Sequence, residues 1–327
     1  MRTPLVTVIL PAKDAGEYIG TTLETLTRQF DDASALKLVA IDDGSRDDTG
    51  MLMRQYAQRF PHAEVVRNPT ARGLATARNQ GLAHVEGDAF CFVDGDDWMQ
   101  PRRLEVLASR LRESDADFLR TDHVRVTGMQ RTLVRAPSPW RERVMPPREA
   151  ILPETESTMV DYPYAWAGIF HRRLIDRGLA DFPEGAVHGR GPPLDLAAAP
   201  ADGVVRGGRR ARAAVSAGCR HLPHPGQGQA AARLRPSDER GHRRGRARPR
   251  RVERFLPKVV WTALALSSHH LVRARRMAPR VRAEMRSGIR DMLHRLPAAE
   301  VASVLARFDG SRRRVLARIL RQAGRAS

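Results

Sequence analysis

The densest chemistry in the sequence lies in Phe92-Val93-Asp94-Gly95-Asp96-Asp97-Trp98, where carboxylates follow directly on an apolar, strand-like run. Carboxylate oxygens are hard ligands suited to Mg²⁺ or Mn²⁺, and such an ion bridges and neutralises a diphosphate. Asp94 and Asp96 are two residues apart, so extended backbone would turn both side chains to one face. An acidic turn closing a strand is the plainer reading of the same residues. Asp42-Asp43-Gly44-Ser45 closes the earlier apolar run Leu36 to Ile41 in the same manner. A carboxylate there suits the imide hydrogen of a uracil ring or a ribose hydroxyl, and equally the capping of a following helix. The third element is Arg72-Gly73-Leu74-Ala75-Thr76-Ala77-Arg78-Asn79. Gly73 permits a tight turn into a helix whose N-terminal amides would face phosphate. Arg78 has the fork geometry to hold that phosphate, or is a solvated helix arginine.

These groups need a scaffold that brings three separate strand ends together. The first strand reads Leu5 to Leu10, ended by Pro11, and a helical pattern follows through Ile19, Leu23, Leu26 and Phe30. After the strand Leu36 to Ile41 come a helix over about Asp48 to Phe60 and a short strand at Val65-Val66. Ala75 to His84 reads as a helix and Ala89 to Val93 as a buried strand. This β-α-β-α order predicts an α/β domain with a mostly parallel sheet and helices on both faces. Ligands of open sheets bind at the C-terminal edge of the strands, where all three candidate elements fall.

Taken together, the motifs resemble those of family 2 glycosyltransferases, which have the GT-A fold. The resemblance runs through Val8-Ile9-Leu10-Pro11 and Asp14, then Ile41-Asp42-Asp43-Gly44-Ser45 with Asp47-Asp48-Thr49. It continues through Gly73, Ala77-Arg78-Asn79 and Gly81 to Phe92-Val93-Asp94-Gly95-Asp96-Asp97 and Pro101, and covers about residues 4 to 185. It implies a nucleotide-sugar donor, UDP-linked, whose sugar passes to an acceptor hydroxyl on a glycan, lipid or polymer. By the same resemblance Pro11, Ala12, Asp14, Asp42 or Asp43, Gly73, Arg78, Asn79 and Asp94 would bind the donor. Asp94 and Asp96 would match the family's D-x-D metal site, holding Mg²⁺ or Mn²⁺. Lys13-Asp14 departs from the family pattern, which more often has an aromatic residue and Asn there.

An inverting member also needs a carboxylate base beside the acceptor. In the family it comes late in the domain within a Glu-Asp pair, here expected shortly after Tyr164-Ala165-Trp166 and Phe182-Pro183-Glu184-Gly185. The printed frame has no such pair there. At that point the composition breaks. About Ala186 to Arg251 contains no Phe, Tyr, Trp, Ile, Met, Lys, Thr or Asn, and Asp195, Asp202, Asp238 and Glu239 are its only acids. Without bulky apolar residues such a stretch does not offset the entropy of ordering, which predicts disorder or poor packing. Back-translating His188 to Leu196 with GC-rich codons and shifting by one base permits Thr-Ala-Glu-Asp-Arg-Pro-Trp-Thr-Trp. The expectation is therefore an out-of-frame segment at about 186–251, with the frame restored near Glu253; the alternative is a true Arg-rich linker. Glu184 and Asp195 lack the context of the missing base.

Three regions result: a GT-A domain at 1–185, the Arg/Gly/Pro/Ala-rich segment at 186–251 and a helical region at 252–327. In the last, Met285, Ile289, Met292 and Leu296 repeat at helical spacing, with Pro279 and Pro297 between successive helices. The net charge of +19 attracts polyanions, and the Arg-rich segment supplies more than half of it. That segment lacks interleaved aromatics, which argues against a nucleic-acid platform. Arg273, Arg275 and Arg276 suit peripheral contact with an anionic membrane, or a solvated basic face. Two cysteines, Cys91 and Cys219, give no disulfide framework, and no apolar run reaches the length of a membrane span, so the sequence predicts a cytoplasmic protein. A donor-binding protein without transfer activity is the rival reading that the missing base supports.

Overall fold

The computed structural model describes residues 5–138, 140–183, 205–207, 214–217, 253–274 and 277–321. They fall into two compact units, one of Met1–Ala150 with Tyr162–Arg220 and one of Ile151–Asp161 with His221–Ser327. Residues 151–161, inside the domain expected at 1–185, therefore group with the helical unit.

The first unit opens with β1 (Val6–Ala12), α1 (Ile19–Leu26), β2 (Leu36–Asp42), α2 (Thr49–Ala57), β3 (His62–Arg67), α3 (Leu74–Leu82) and β4 (Ala89–Phe92). It continues with β5 (Asp97–Trp98), α4 (Arg103–Ser114), β6 (Phe118–Arg120), β7 (His123–Thr127), β8 (Gln130–Val134), β9 (Gly168–His171) and α5 (Arg173–Asp176). Two further strands, β10 (Val205–Gly207) and β11 (Ala214–Ala217), complete it. The main sheet has the order β10-β6-β9-β4-β1-β2-β3 and is parallel except where β9 joins β4 and β6. This is the mostly parallel GT-A-like sheet flanked by helices that the motif order predicts. A second sheet has the order β5-β11-β7-β8.

The even residues of β1 (Val6, Val8, Leu10, Ala12) pack with Leu23 and Leu26 of α1, Met53 of α2 and Leu104, Leu107 and Leu111 of α4. Ile9 faces α3 on the opposite side, where a Cβ on Gly81 would stand 2.3 Å from it. Strand β1 runs on through Pro11, against the expectation that Pro11 ends it. Ile9 offers its carbonyl to Val93 on the β4 side, and Ala12 offers its own to Asp43 on the β2 side. Pro11 shares the parity of Ile9, and β4 pairs β1 only as far as Ile9, so the missing N–H costs no ladder bond.

Of the Arg-rich segment only β10 and β11 are described, as short strands on β6 and on β5 and β7. The expected Glu-Asp position and the rest of the presumed out-of-frame stretch lie outside the described residues. The helical unit has α6 (Leu256–Arg273), α7 (Pro279–His294), α8 (Ala298–Ala306) and α9 (Gly310–Arg321) around Val260, Leu264, Met285, Ile289, Val304 and Leu316. Pro279 begins α7 and Pro297 precedes α8, as the spacing predicts. Among the described residues no helix is long and apolar enough to cross a membrane. Arg275 and Arg276 lie outside the described residues.

Candidate active site

The chain lays β2 and β3 to one side of β1 and then returns to place β4 on the other. That reversal puts the switch point of the sheet at the C-terminal ends of β1 and β4, the place where open sheets receive ligands. The loop leaving β1 is stitched to the loop leaving β2 by three successive backbone amides. Asp14 N donates to Ser45 Oγ (3.0 Å), Ala15 N to Thr49 Oγ1 (2.8 Å) and Gly16 N to Asp47 Oδ2 (2.8 Å). Ser45, Asp47 and Thr49 thus act as a lacing between two strand ends. Asp14 itself sits at φ 50°, a left-handed conformation that Asp tolerates better than most residues. Its Oδ1 accepts from Arg46 N (2.9 Å), and that amide holds the carboxyl below the usual carboxylate range despite partial desolvation.

The adjacent acids at the end of β2 divide the work. Asp42 is fully buried and accepts from Ser45 N (2.9 Å), with Arg67 3.5 Å from its second oxygen. It closes the turn that leaves β2 and does not cap α2, which begins at Thr49 after Asp48. Asp43, also buried, accepts from Asn68 Nδ2, Arg72 N and Gly73 N, each at 2.8 Å. It therefore fixes the turn into α3. Gly73 occupies that turn at φ 95°, which only glycine adopts without strain.

Asp94 and Asp96 follow β4 in a turn, not in the extended backbone expected from their spacing. Asp97 N closes it on Asp94 O (3.0 Å), and Thr22 Oγ1 of α1 holds Gly95 O (3.0 Å). A Cβ on Gly95 would stand 2.7 Å from Ala12 Cβ, so glycine lets the acidic turn press against the end of β1. Asp94 and Asp96 are half-buried.

Arg78 is not the solvated helix arginine of the plainer reading. It is buried at 3% exposure, and its Nη2 donates to Asp94 Oδ1 (3.0 Å). Its guanidinium lies over the rings of Phe92 (5.7 Å) and Phe182 (5.2 Å), which meet edge to face. Asn79 grips the backbone of Phe182 with both ends of its amide, donating to the carbonyl and accepting from the N–H at 2.8 Å each. The helix position next to Arg78 therefore secures the aromatic wall behind it. Asn68 was not singled out from sequence, and Phe182 served there only to mark where the base was expected. Asn68 has a legible signal, since it follows β3 at the same sheet edge; the pairing of Phe182 with Asn79, 103 residues away, has none.

Among the described residues no group of three or more His, Cys, Asp or Glu could hold a metal. The pair Asp94 and Asp96 still suits Mg²⁺ or Mn²⁺, which takes one or two carboxylates and completes its shell with water and phosphate. A cavity of about 500 Å³ lined by Leu5, Asp32, Gly87, Asp88, Glu105 and Arg112 opens at the N-terminal ends of β1 and β4. It is at the wrong edge of the sheet for these groups.

The model of the Glycosyl transferase family 2 domain matches residues 7–181, over half the chain. The chain belongs to glycosyltransferase family 2. This family 2 glycosyltransferase is 26% identical over 197 residues to the uncharacterized glycosyltransferase EpsJ of Bacillus subtilis, a match covering 60% of the chain and 56% of EpsJ. It is 34% identical over 115 residues to the uncharacterized glycosyltransferase YibD of Escherichia coli, covering 35% of the chain and 33% of YibD. The matches thus span about half the length of the first relative and a third of the second. Its fold is similar to that of S. aureus TarS 1-349, with a TM-score of 0.68 at 16% identity over 97% of this chain and 88% of that one. The same protein in complex with UDP-GlcNAc gives a TM-score of 0.63, again at 16% identity and the same coverage.

Proposed function

We propose that this family 2 glycosyltransferase binds a nucleoside-diphosphate sugar, UDP-linked, at the C-terminal edge of β1, β2 and β4 and transfers its sugar to an acceptor hydroxyl. The observation that carries this reading is the acidic turn Asp94-Gly95-Asp96, seated against Ala12 and braced by the buried Arg78. The UDP-GlcNAc complex of TarS, similar in fold, supports the donor class. Pro11, Ala12, Asp14, Asp43 and Gly73 would line the nucleoside side, and Asp94 and Asp96 would hold Mg²⁺ or Mn²⁺. The bound ion would supply the positive charge that neutralises the departing diphosphate. The residues themselves do the positioning. Arg78 fixes Asp94, and the Ser45, Asp47 and Thr49 lacing fixes the rim.

The absent Glu-Asp pair favours a second reading, a donor-binding chain without turnover. Titration calorimetry with UDP-GlcNAc, with and without Mn²⁺, tests the donor site. Binding that needs Mn²⁺ and is lost in Asp94→Asn supports it; no nucleotide binding under any condition overturns it. Resequencing the gene over about codons 180 to 255 then separates the two readings, because compensating single-base indels would restore the base and turnover with it.

A further inference from the structure

Three side chains spaced along α1 and its exit hold the backbone of the segment that runs from Gly95 to Leu104. Thr22, 1% exposed, donates from Oγ1 to Gly95 O (3.0 Å), with Tyr18 O of the preceding turn at 3.4 Å. Thr25 Oγ1 gives its proton to Thr22 O (2.8 Å) and accepts from Met99 N (3.2 Å). Gln29, fully buried, donates from Nε2 to Gln100 O (2.9 Å) and accepts at Oε1 from Leu104 N (3.0 Å). Three neutral side chains thus satisfy four backbone groups that lie outside the sheet ladders. The contact at Gly95 differs from the others in where it falls. Glycine has the freest backbone of any residue, and the peptide it shares with Asp96 lies between the two carboxylates. The bond from Asp97 N to Asp94 O closes the turn and leaves the direction of that peptide to Thr22. A hydroxyl brings no charge, so Thr22 does this without competing with a cation for the acids.

We infer that Thr22 is a positioning residue. By holding the Gly95 carbonyl it sets how the carboxylates of Asp94 and Asp96 stand to one another, whereas Gln29 anchors the far end of the segment for stability alone. The effect on the turn follows from these contacts. The effect on Mg²⁺ or Mn²⁺ rests on the reading of Asp94 and Asp96 as that ion's ligands.

The test compares the full chain as wild type, Thr22→Val, Thr22→Ser and Gln29→Leu, by hydrogen exchange and by calorimetry with MnCl₂ in the presence of UDP. Valine keeps the shape of threonine and removes the hydroxyl, while serine restores it. In Thr22→Val the Asp97 amide should exchange about tenfold faster, the weight of one hydrogen bond, with the amides of β2 unchanged. Mn²⁺ should bind about 10–100-fold more weakly, the usual effect of losing an outer partner, and Thr22→Ser should bring both values back towards wild type. Gln29→Leu should lower the melting temperature and leave the Mn²⁺ affinity alone. An Asp97 amide that exchanges at the wild-type rate in Thr22→Val, or faster only in step with β2, overturns the proposal. So does a loosened turn that binds Mn²⁺ as tightly as wild type, or a Gln29→Leu chain that loses Mn²⁺ binding as far as Thr22→Val does. A wild type that binds no Mn²⁺, with Asp97 exchange still faster in Thr22→Val, upholds the role of Thr22 in the turn and overturns the ion reading instead.

Discussion

At the scale of single residues, the decisive contact is the one between Arg78 and Asp94. A buried guanidinium held between two phenylalanine rings has little freedom, so it sets one oxygen of Asp94, and in the proposed site the other would meet the ion. Removing such an outer partner typically lowers metal affinity by about 10–100-fold. Arg78→Met is expected to weaken Mn²⁺-dependent donor binding by that factor in calorimetry, more than Arg78→Lys does. A second residue-scale consequence concerns His123, whose ring is packed against Tyr162, Tyr164 and Trp166. Tyr162 gives its proton to Thr121 O, so His123 Nδ1 must donate to the Tyr162 hydroxyl (2.6 Å). Desolvation, with the Arg125 charge behind it, lowers this imidazole from 6.5 to about 4. Between those values the unfolded chain binds a proton that the native state refuses. Stability therefore falls as pH drops from 6.5 to about 4 and takes no further loss from this group below that. Urea unfolding across this window should show the slope, and His123→Asn should reduce it by about one proton.

At the scale of elements, the site depends on close approaches between strand ends. Gly95→Ala would push the acidic turn off β1, because the new methyl would lie 2.7 Å from Ala12 Cβ. Overpacking of this kind costs about 1–3 kcal/mol. The expected result is a lower melting temperature together with weaker donor binding, whereas Gly73→Ala, open on every side, should act through backbone strain at φ 95° alone. The Asn79 clamp predicts a different pattern. Asn79→Ala leaves the Phe182 amide and carbonyl unpaired, at about 1–3 kcal/mol. Loosening of the aromatic wall should then appear as faster hydrogen exchange at Phe182 before any global unfolding.

At the scale of the whole molecule, the helical unit has its own buried ion pair. Lys258, 1% exposed, donates to Asp161 Oδ2 (2.5 Å) and to Glu156 O (2.8 Å). Asp161→Asn strands a buried ammonium without a counter-charge, a loss of about 3–5 kcal/mol. Lys258→Met leaves a carboxylate that keeps a quarter of its surface in water, and should cost less. Thermal melts of the two variants check the order. The charge of +19 adds an outcome of its own: adsorption to anionic vesicles that declines steeply as salt is raised, read by co-sedimentation.

The succession of strands and helices and the acidic run that follows β4 were legible in the sequence, because apolar periodicity and turn chemistry are properties of neighbouring residues. Val8 to Pro11, Leu36 to Asp43 and Ala89 to Asp96 each carry their strand and its terminal chemistry within about a dozen positions. The partners of the side chains were not legible. Arg78 meets Asp94 across 16 residues, Asn79 meets Phe182 across 103, and Lys258 meets Asp161 across 97. Each pairing follows from which strands lie side by side and which helix covers them, and no local pattern encodes that. The sequence by itself determined that this chain has a family 2 glycosyltransferase sheet with acids at its C-terminal edge. Only the tertiary structure decided that Arg78 faces Asp94 and not solvent, since the direction of a buried charge is set by the one counter-charge that packing brings within reach.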